Sequence, residues 1–226
     1  MRTRLAAAAV ALLVLASGRV LRAEGPGPEI PRSRLEAIEG AISSEMARQG
    51  IPGLSIAIGQ GGSVRFTSGY GLADLENSVP ARAATVYRLA SISKPMTAVA
   101  ALQLAERGAL DLDAPVQKYV PAFPEKAWPV TARQLLGHLG GVRHYRDDEP
   151  TNTRPYESLD DSLAFFKDDA LVAEPGARFV YSTYGYNLVG AAVEGAAGKP
   201  FVEVLKEGVF APAGLTAEVV VGSPSQ

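Results

Sequence analysis

The sequence of 226 residues predicts an α+β fold, in which an antiparallel hairpin is followed by a run of helices. Two observations support this prediction. Apolar and polar side chains alternate over residues 54–71 around a glycine pair, which is the pattern of a β-hairpin. Further along, residues 91–108 and 186–197 carry apolar side chains at helical spacing. The length is enough for one domain with a sizeable core.

The composition excludes several classes of function. The net charge of −2 gives no electrostatic footprint for nucleic acid or for an anionic membrane surface. The chain has no cysteine, which removes disulfides, thiolate catalysis and cysteine zinc sites. Its two histidines, His138 and His144, are too few for a histidine-rich metal site.

Residues 1–23 are predicted to be a signal peptide. Arg2 and Arg4 precede an apolar run over 5–16, which is too short to span a bilayer. Small residues at 16–18 offer one cleavage site. The protein is therefore expected to be exported to the periplasm or the medium, without a stable membrane span.

Two alternatives for this N-terminal segment stay open. A mitochondrial presequence is one, because four arginines and no acid precede Glu24. An uncleaved membrane anchor is the other. A second possible cleavage site follows Ala23, a Gly/Pro linker is expected at 24–31, and the folded domain at 32–226.

The domain opens with a helix predicted over 32–49 and ended by Gly50 and Pro52. Its apolar stripe follows helical spacing: Leu35, Ile38, Ile42 and Met46. The hairpin comes next. One strand alternates Leu54, Ile56 and Ile58, the turn is Gln60-Gly61-Gly62, and the return strand alternates Val64, Phe66, Ser68 and Tyr70.

The helix at 91–108 is apolar nearly all round, which predicts burial in a core, and Gly108 is its natural stop. A short helix over 131–139 is expected to start at the cap Thr131 and to end at Gly140-Gly141. Further segments complete the prediction: helices near 159–168, 186–197 and 200–207, and a weak strand at 218–221.

One pair of residues in the central helix suggests chemistry. Ser91 and Lys94 are three positions apart and therefore share a helix face. A serine hydroxyl needs a base within hydrogen-bond reach to become a nucleophile. A lysine can be that base when desolvation or a nearby cation lowers its pKa. Pro95 is tolerated only in a first helical turn, so the helix starts at or just after Ser91. The alternative is that Ser91 or Ser93 is merely a helix cap.

The surrounding sequence resembles the serine β-lactamase-like family in three ordered blocks. They contain "RLASISKPMTAVAALQLAERG", "LLGHLGGVRHYRDDE" and "EPGARFVYSTYGYNLVGAAVEG". This family includes class C β-lactamases, penicillin-binding carboxypeptidases, esterases and a mitochondrial type, to which "SISKPM", "RHY" and "YSTYGY" look closest. The resemblance covers about residues 30 to 216 and implies a β-lactamase/transpeptidase-like fold, with helices packed on an antiparallel sheet.

The resemblance also implies roles for individual residues. Ser91 matches the nucleophile that becomes acylated, and Lys94 matches its base. Tyr181 matches the tyrosine of the Tyr-x-Asn motif, which helps to move the proton to the leaving group. Thr183 stands where that motif has asparagine and offers fewer hydrogen bonds. The mitochondrial type is similar at this position, which indicates a subgroup.

Two other segments are interpreted as structural. His138 matches a position in the family's His-Thr-Ser-Gly element, here His-Leu-Gly-Gly, and is expected to be a satisfied buried histidine. His144 and the charges at 146–149 are expected to form a solvated loop near the cleft mouth. Tyr184 and Tyr186 are expected to be core aromatics.

A third element of the family, Lys/His-x-Gly on a strand well downstream of the tyrosine motif, has no counterpart at its usual place. His138-Leu139-Gly140 and Lys206-Glu207-Gly208 have the letters but neither the order nor the strand context. The expectation is therefore a C-terminally truncated member of the family, which lacks C-terminal sheet strands.

The predicted function is that of a serine hydrolase which forms an acyl-enzyme on an amide or ester, such as a peptide, a D-amino-acid peptide or an ester. No metal or cofactor is expected. The alternative is a non-catalytic fragment or pseudoenzyme that acts as a binding module. The sequence gives no basis for predicting an oligomeric state.

Overall fold

A computed structural model describes residues 30–151 and 158–215. The predicted signal peptide, nearly all of the linker and the weak strand at 218–221 lie outside these residues. The described chain divides into two compact units, one ending at Arg88 and the other beginning at Leu89. The architecture is α+β, as predicted.

The first unit contains helix α1, Arg32–Gln49, and a three-stranded antiparallel sheet of order β1-β2-β3. The predicted bounds of α1 are confirmed, and Gly50 ends it in the left-handed conformation with φ 65°. The predicted apolar stripe is also confirmed. Its members are half-buried, whereas the other residues of α1 are exposed.

The sheet is built on the predicted hairpin. Its strands are β1 Gly53–Gln60, β2 Ser63–Asp74 and the short β3 Val79–Pro80. Gly61 and Gly62 form the turn with φ 59° and 72°, a backbone that a two-residue hairpin turn requires and that glycine adopts readily. Strand β3 was not predicted, because two residues ending in proline give no periodic signal.

The hairpin departs from strict alternation near its turn. The pairing register shifts between Ile58 and Gly59. Val64, which pairs with Gly59, lies beyond that irregularity and is 67% exposed, whereas the other members of its predicted alternation, Phe66, Ser68 and Tyr70, are half-buried.

The second unit is helical. A 3-10 turn, Ala90–Ile92, leads into the central helix, and the helices in chain order are α2 Ser93–Glu106, α3 Ala132–Leu136, α4 Leu159–Leu163, α5 Thr183–Ala197 and α6 Phe201–Leu205. A π turn, Lys206–Phe210, continues α6. Helices α2 and α5 pack against each other. Fully buried residues of both form the centre of the core: Ala100, Ala101, Leu188, Val189, Ala192 and Val193.

Several predicted helix properties need correction. Helix α2 is not buried all round, because Val99 and Leu102 are more than two-fifths exposed. Helix α3 ends at Leu136, capped by Gly137, rather than near 139, since His138 takes a left-handed φ of 57°. Helix α5 begins three residues before the predicted 186, because Ser182 caps it.

Helix α4 is shorter than the predicted 159–168. Backbone carbonyls beyond its end accept hydrogen bonds from side chains elsewhere in the unit. Phe165 O accepts from Arg143, and the carbonyls of Lys167 and Asp169 accept from Lys126. These bonds replace the helical ones. Among the described residues, no helix is both long and apolar enough to cross a bilayer.

Candidate active site

Ser91 and Lys94 meet at the start of α2. Ser91 lies on the 3-10 turn and Lys94 on the first turn of the helix, and the Nζ of Lys94 lies 3.1 Å from the Oγ of Ser91. The alternative that a serine caps this helix is wrong. Ile92 occupies the N-cap, and no described side chain makes a capping bond there.

The side chain of Lys94 is buried among hydroxyls and aromatic rings. The residue is 8% exposed. It donates to the Oγ1 of Thr183 at 3.1 Å as well as to Ser91. Its Nζ also lies 4.9 Å from the ring centroid of Tyr181 and 5.8 Å from that of Tyr186, at cation–π distance.

Tyr181 completes the group of predicted site residues. Its hydroxyl donates to the Oγ of Ser91 at 2.8 Å. The hydrogen bond to Ser91, followed by the influence of Lys94, holds the pKa of the phenol below its ordinary value, while burial acts in the opposite direction. Ser91, Lys94 and Tyr181 are thus joined through one serine oxygen.

The two histidines lie beside this tyrosine. The backbone N–H of Ser182 donates to the Nδ1 of His138, and that of Thr183 donates to the Nδ1 of His144, both at 3.2 Å. His138 has the hydrogen-bond partner that was predicted but is half-buried rather than buried. His144 is exposed as predicted, yet its contact with the tyrosine segment was missed.

Arg143 is a second residue that the sequence analysis missed. The residue is 6% exposed and binds both carboxylate oxygens of Glu149, at 2.7 and 2.9 Å, as well as the carboxylate of Asp169. Its carbonyl accepts from the Oγ of Ser182 at 2.7 Å. The prediction of a solvated loop is therefore wrong for Glu149, whose pKa is lowered to about 2, chiefly by its hydrogen bonds to Arg143.

The predictions for Tyr184 and Tyr186, and for the two segments that match Lys/His-x-Gly only in sequence, agree better with the structure. Tyr184 is buried, and Tyr186 is half-buried with its hydroxyl on the carbonyl of Leu136 at 2.9 Å. His138-Leu139-Gly140 lies in a turn after α3, and Lys206-Glu207-Gly208 lies in the π turn. Neither motif is on a strand.

A protein-family model described as Beta-lactamase matches residues 38–223. The chain belongs to the beta-lactamase family. The chain is similar to the serine beta-lactamase-like protein LACTB, mitochondrial, of Homo sapiens. The human protein is 32% identical over 80% of the chain and 46% of its own length.

Solved structures agree with the beta-lactamase fold. EstCE1, a hydrolase with promiscuous acyltransferase activity, is 29% identical with a TM-score of 0.70 over 81% of this chain and 52% of its own. The D-amino acid amidase from Ochrobactrum anthropi is 30% identical with a TM-score of 0.69 over 80% of this chain and 50% of its own. The chain spans about half the length of the curated relatives it matches, 46% for the human protein.

Proposed function

We propose that this member of the beta-lactamase family is a serine hydrolase that forms an acyl-enzyme on an amide or ester. The observation that carries the proposal is the shared oxygen. The Oγ of Ser91 lies within hydrogen-bond distance of both Lys94 and Tyr181. A nucleophile needs a base at this distance, and a leaving group needs a proton donor close by.

The proposed reaction has two halves. The reaction requires Lys94 as a neutral amine: the Oγ of Ser91 attacks the carbonyl carbon, and its proton passes to the Nζ of Lys94, 3.1 Å away. The bond to the leaving group breaks, and the leaving oxygen or nitrogen takes a proton from the Tyr181 hydroxyl, which Lys94 restores. Water then attacks the acyl group, releases the acid and returns the proton to Ser91.

The proposed substrate class is a peptide, a D-amino-acid peptide or an ester. It follows from the amidase and the hydrolase to which the chain is similar. Thr183 has a hydroxyl where the family motif has the amide of asparagine. Its Oγ1 still accepts a hydrogen bond from the Nζ of Lys94.

The decisive experiment treats the purified chain with a fluorophosphonate and measures the intact mass. Fluoride leaves as the Oγ of Ser91 bonds to phosphorus, so one adduct per chain is expected. Ser91→Ala removes the acceptor and should give no adduct. Lys94→Met keeps the side-chain length but removes the base, and should slow labelling by about 10²-fold or more.

Ser93→Ala is the matched control, because Ser93 is the neighbouring exposed serine of the same segment. It should label like the parent chain. Soluble, folded parent chain that gains no adduct would contradict the proposal and favour the alternative, a non-catalytic binding module of the same family.

We further propose that residues 1–23 contain a signal peptide that is cleaved on export, either within 16–18 or after Ala23. The same unlabelled mass tests this proposal, because cleavage within 16–18 and cleavage after Ala23 give different masses. A full-length mass for the chain recovered from its host compartment would overturn it.

A further inference from the structure

The only two histidines of the chain hold the same short segment. Ser182 and Thr183 are consecutive, and their backbone N–H groups donate to the Nδ1 atoms of His138 and His144 respectively. The residue before them is Tyr181. Two imidazoles from one loop region thus fix the backbone immediately after the tyrosine that reaches Ser91.

The histidine rings also contact the phenol ring directly. The ring centroid of His138 lies 4.4 Å from that of Tyr181, and the ring of His144 meets Tyr181 edge-on at 5.4 Å. His144 in turn stacks on Tyr145 at 4.7 Å. The tyrosine is therefore restrained through its backbone and on its ring, which leaves its hydroxyl 2.8 Å from the Oγ of Ser91.

These bonds specify the protonation of both rings. An imidazole nitrogen that accepts a hydrogen bond carries no proton, so each histidine must be neutral with its proton on Nε2. A proton on Nδ1 would place N–H against N–H and break the bond to Ser182 or to Thr183.

We propose that His138 and His144 are positioning residues that hold the Tyr181 hydroxyl on Ser91, and that each does so only as a neutral imidazole accepting at Nδ1. The effect of the two histidines on reactivity rests on the proposed hydrolase function, whereas their hydrogen bonds do not. Neither histidine contacts the serine, so neither is assigned a catalytic role.

The surroundings favour the neutral rings. Burial, and next the charge of Lys94 on α2, lower the pKa of each histidine, and His144 adds to the effect on His138. The other titratable groups facing the rings are the phenols of Tyr145, Tyr181 and Tyr186, and the ring of Phe179 also packs against His138. Positioning is therefore complete at neutral pH and is lost as the pH falls through the lowered pKa values.

The first test is independent of activity. In the full chain labelled with ¹⁵N-histidine, the Nδ1 and Nε2 signals of two imidazole rings are expected, and His144→Asn assigns them to their residues. Both Nδ1 atoms should be unprotonated and both Nε2 atoms protonated at pH 7. A proton on Nδ1 of either ring would overturn the inference.

The second test uses a matched pair of variants at the exposed position. In His144→Asn the amide oxygen takes the place of Nδ1 and cannot titrate, whereas His144→Gln places its amide one bond further out. The Asn variant should keep fluorophosphonate labelling within about threefold of the parent, and the Gln variant should be about tenfold slower or more.

The pH profile separates positioning from a general structural effect. The labelling rate of the parent should fall more steeply on the acid side than that of His144→Asn, because the asparagine does not protonate. His138→Asn should behave alike, since asparagine tolerates the left-handed φ of 57° at that position. Equal rates for the Asn and Gln variants, or identical acid limbs for parent and Asn variant, would refute the inference.

Failure of the hydrolase proposal would be recognised separately. If the parent chain is not labelled at all, the ¹³C-tyrosine signal of Tyr181 replaces activity as the readout. His144→Gln should raise the phenol pKa toward its ordinary value, because the phenol moves away from both Ser91 and Lys94, and His144→Asn should not. An unchanged phenol pKa in the Gln variant would overturn the inference by itself.

Discussion

The phenol oxygen of Tyr181 lies 2.8 Å from the Oγ of Ser91, although the two residues are 90 positions apart. Helix packing makes this contact possible. Ser91 precedes α2, Tyr181 precedes α5, and the two helices pack against each other in the core. The hydrogen bond therefore depends on the N-terminal ends of two packed helices, which are better fixed than loops.

Replacing Tyr181 with phenylalanine should impair hydrolysis in a substrate-dependent way. The variant keeps the ring contacts with the histidines but cannot give a proton to a leaving group. Hydrolysis of an amide or alkyl ester should fall by about 10²-fold or more, because poor leaving groups need that proton. Hydrolysis of a p-nitrophenyl ester should fall much less. The measurement is the ratio of kcat/KM for the two substrate types in parent and variant.

The pH dependence of amide hydrolysis gives a control. Because the pKa of the Tyr181 phenol is lowered, the rate should begin to decline at a pH below 10, the ordinary pKa of tyrosine. Tyr181→Phe should lack this decline. Equal losses on both substrate types would argue against proton donation by Tyr181.

Ser182 should affect stability and labelling together. Its Oγ accepts from the N–H of Gly185 at 2.8 Å, which caps α5, and donates to the carbonyl of Arg143. Ser182→Ala removes the cap and leaves that carbonyl without its partner, so a loss of about 2–3 kcal/mol in the free energy of unfolding is expected. Labelling of Ser91 should slow as well, because the segment carrying Tyr181 loosens.

Ser158→Ala is the matched control for this variant. Ser158 caps α4 through a capping box with Asp161, and its side-chain bond is to that residue rather than to the segment that carries Tyr181. Its loss should cost about 1 kcal/mol of unfolding free energy and leave the labelling rate unchanged. Urea unfolding and fluorophosphonate labelling of both variants provide the comparison. Slower labelling of Ser158→Ala would mean that stability alone explains the effect of Ser182→Ala.

Local signals predicted the parts of the fold that depend on neighbours in sequence. The bounds of α1, the glycine turn of the hairpin and the cap Thr131 followed from spacing and turn chemistry. Ser91 and Lys94 could be paired for the same reason, since residues three apart share a helix face. Tyr181 lies far away in sequence, and only the family resemblance connected it with them.

The contacts that sequence reasoning missed are long-range and polar. The charges at 146–149 favour a solvated loop, because nothing in a run of charged residues indicates which of them is buried. Glu149 is nevertheless bound by a buried arginine. Arg143 is also held by the carbonyl of Phe165 and the carboxylate of Asp169, both in the turns after α4. His144 was placed in the same loop and, for the same reason, its bond to Thr183 was not predicted.

The Arg143–Glu149 pair should make stability depend on acid pH. The pKa of Glu149 is about 2 in the folded chain, below the 4.5 of an ordinary glutamate, because Arg143 binds the ionised form. A carboxyl whose folded pKa is lowered stabilises the fold fully above its unfolded pKa. That contribution is lost as the pH falls from about 4.5 through about 2. The expected contribution is about 3 kcal/mol, at about 1.4 kcal/mol per unit of pKa shift.

Glu149→Gln tests this dependence against a surface control. The variant should be less stable than the parent by about 3 kcal/mol at pH 7, since Arg143 keeps only Asp169 as an acidic partner. The difference should shrink toward pH 2, where the parent loses the same charge. Asp113→Asn, which breaks the exposed pair with Arg133, should change stability far less at either pH.

Urea unfolding, followed by the fluorescence of Trp128, measures these free energies of unfolding. Trp128 is the single tryptophan of the chain and lies in the helical unit. A difference between parent and Glu149→Gln that stays constant from pH 7 to pH 2 would show that the charge of Glu149 does not stabilise the fold.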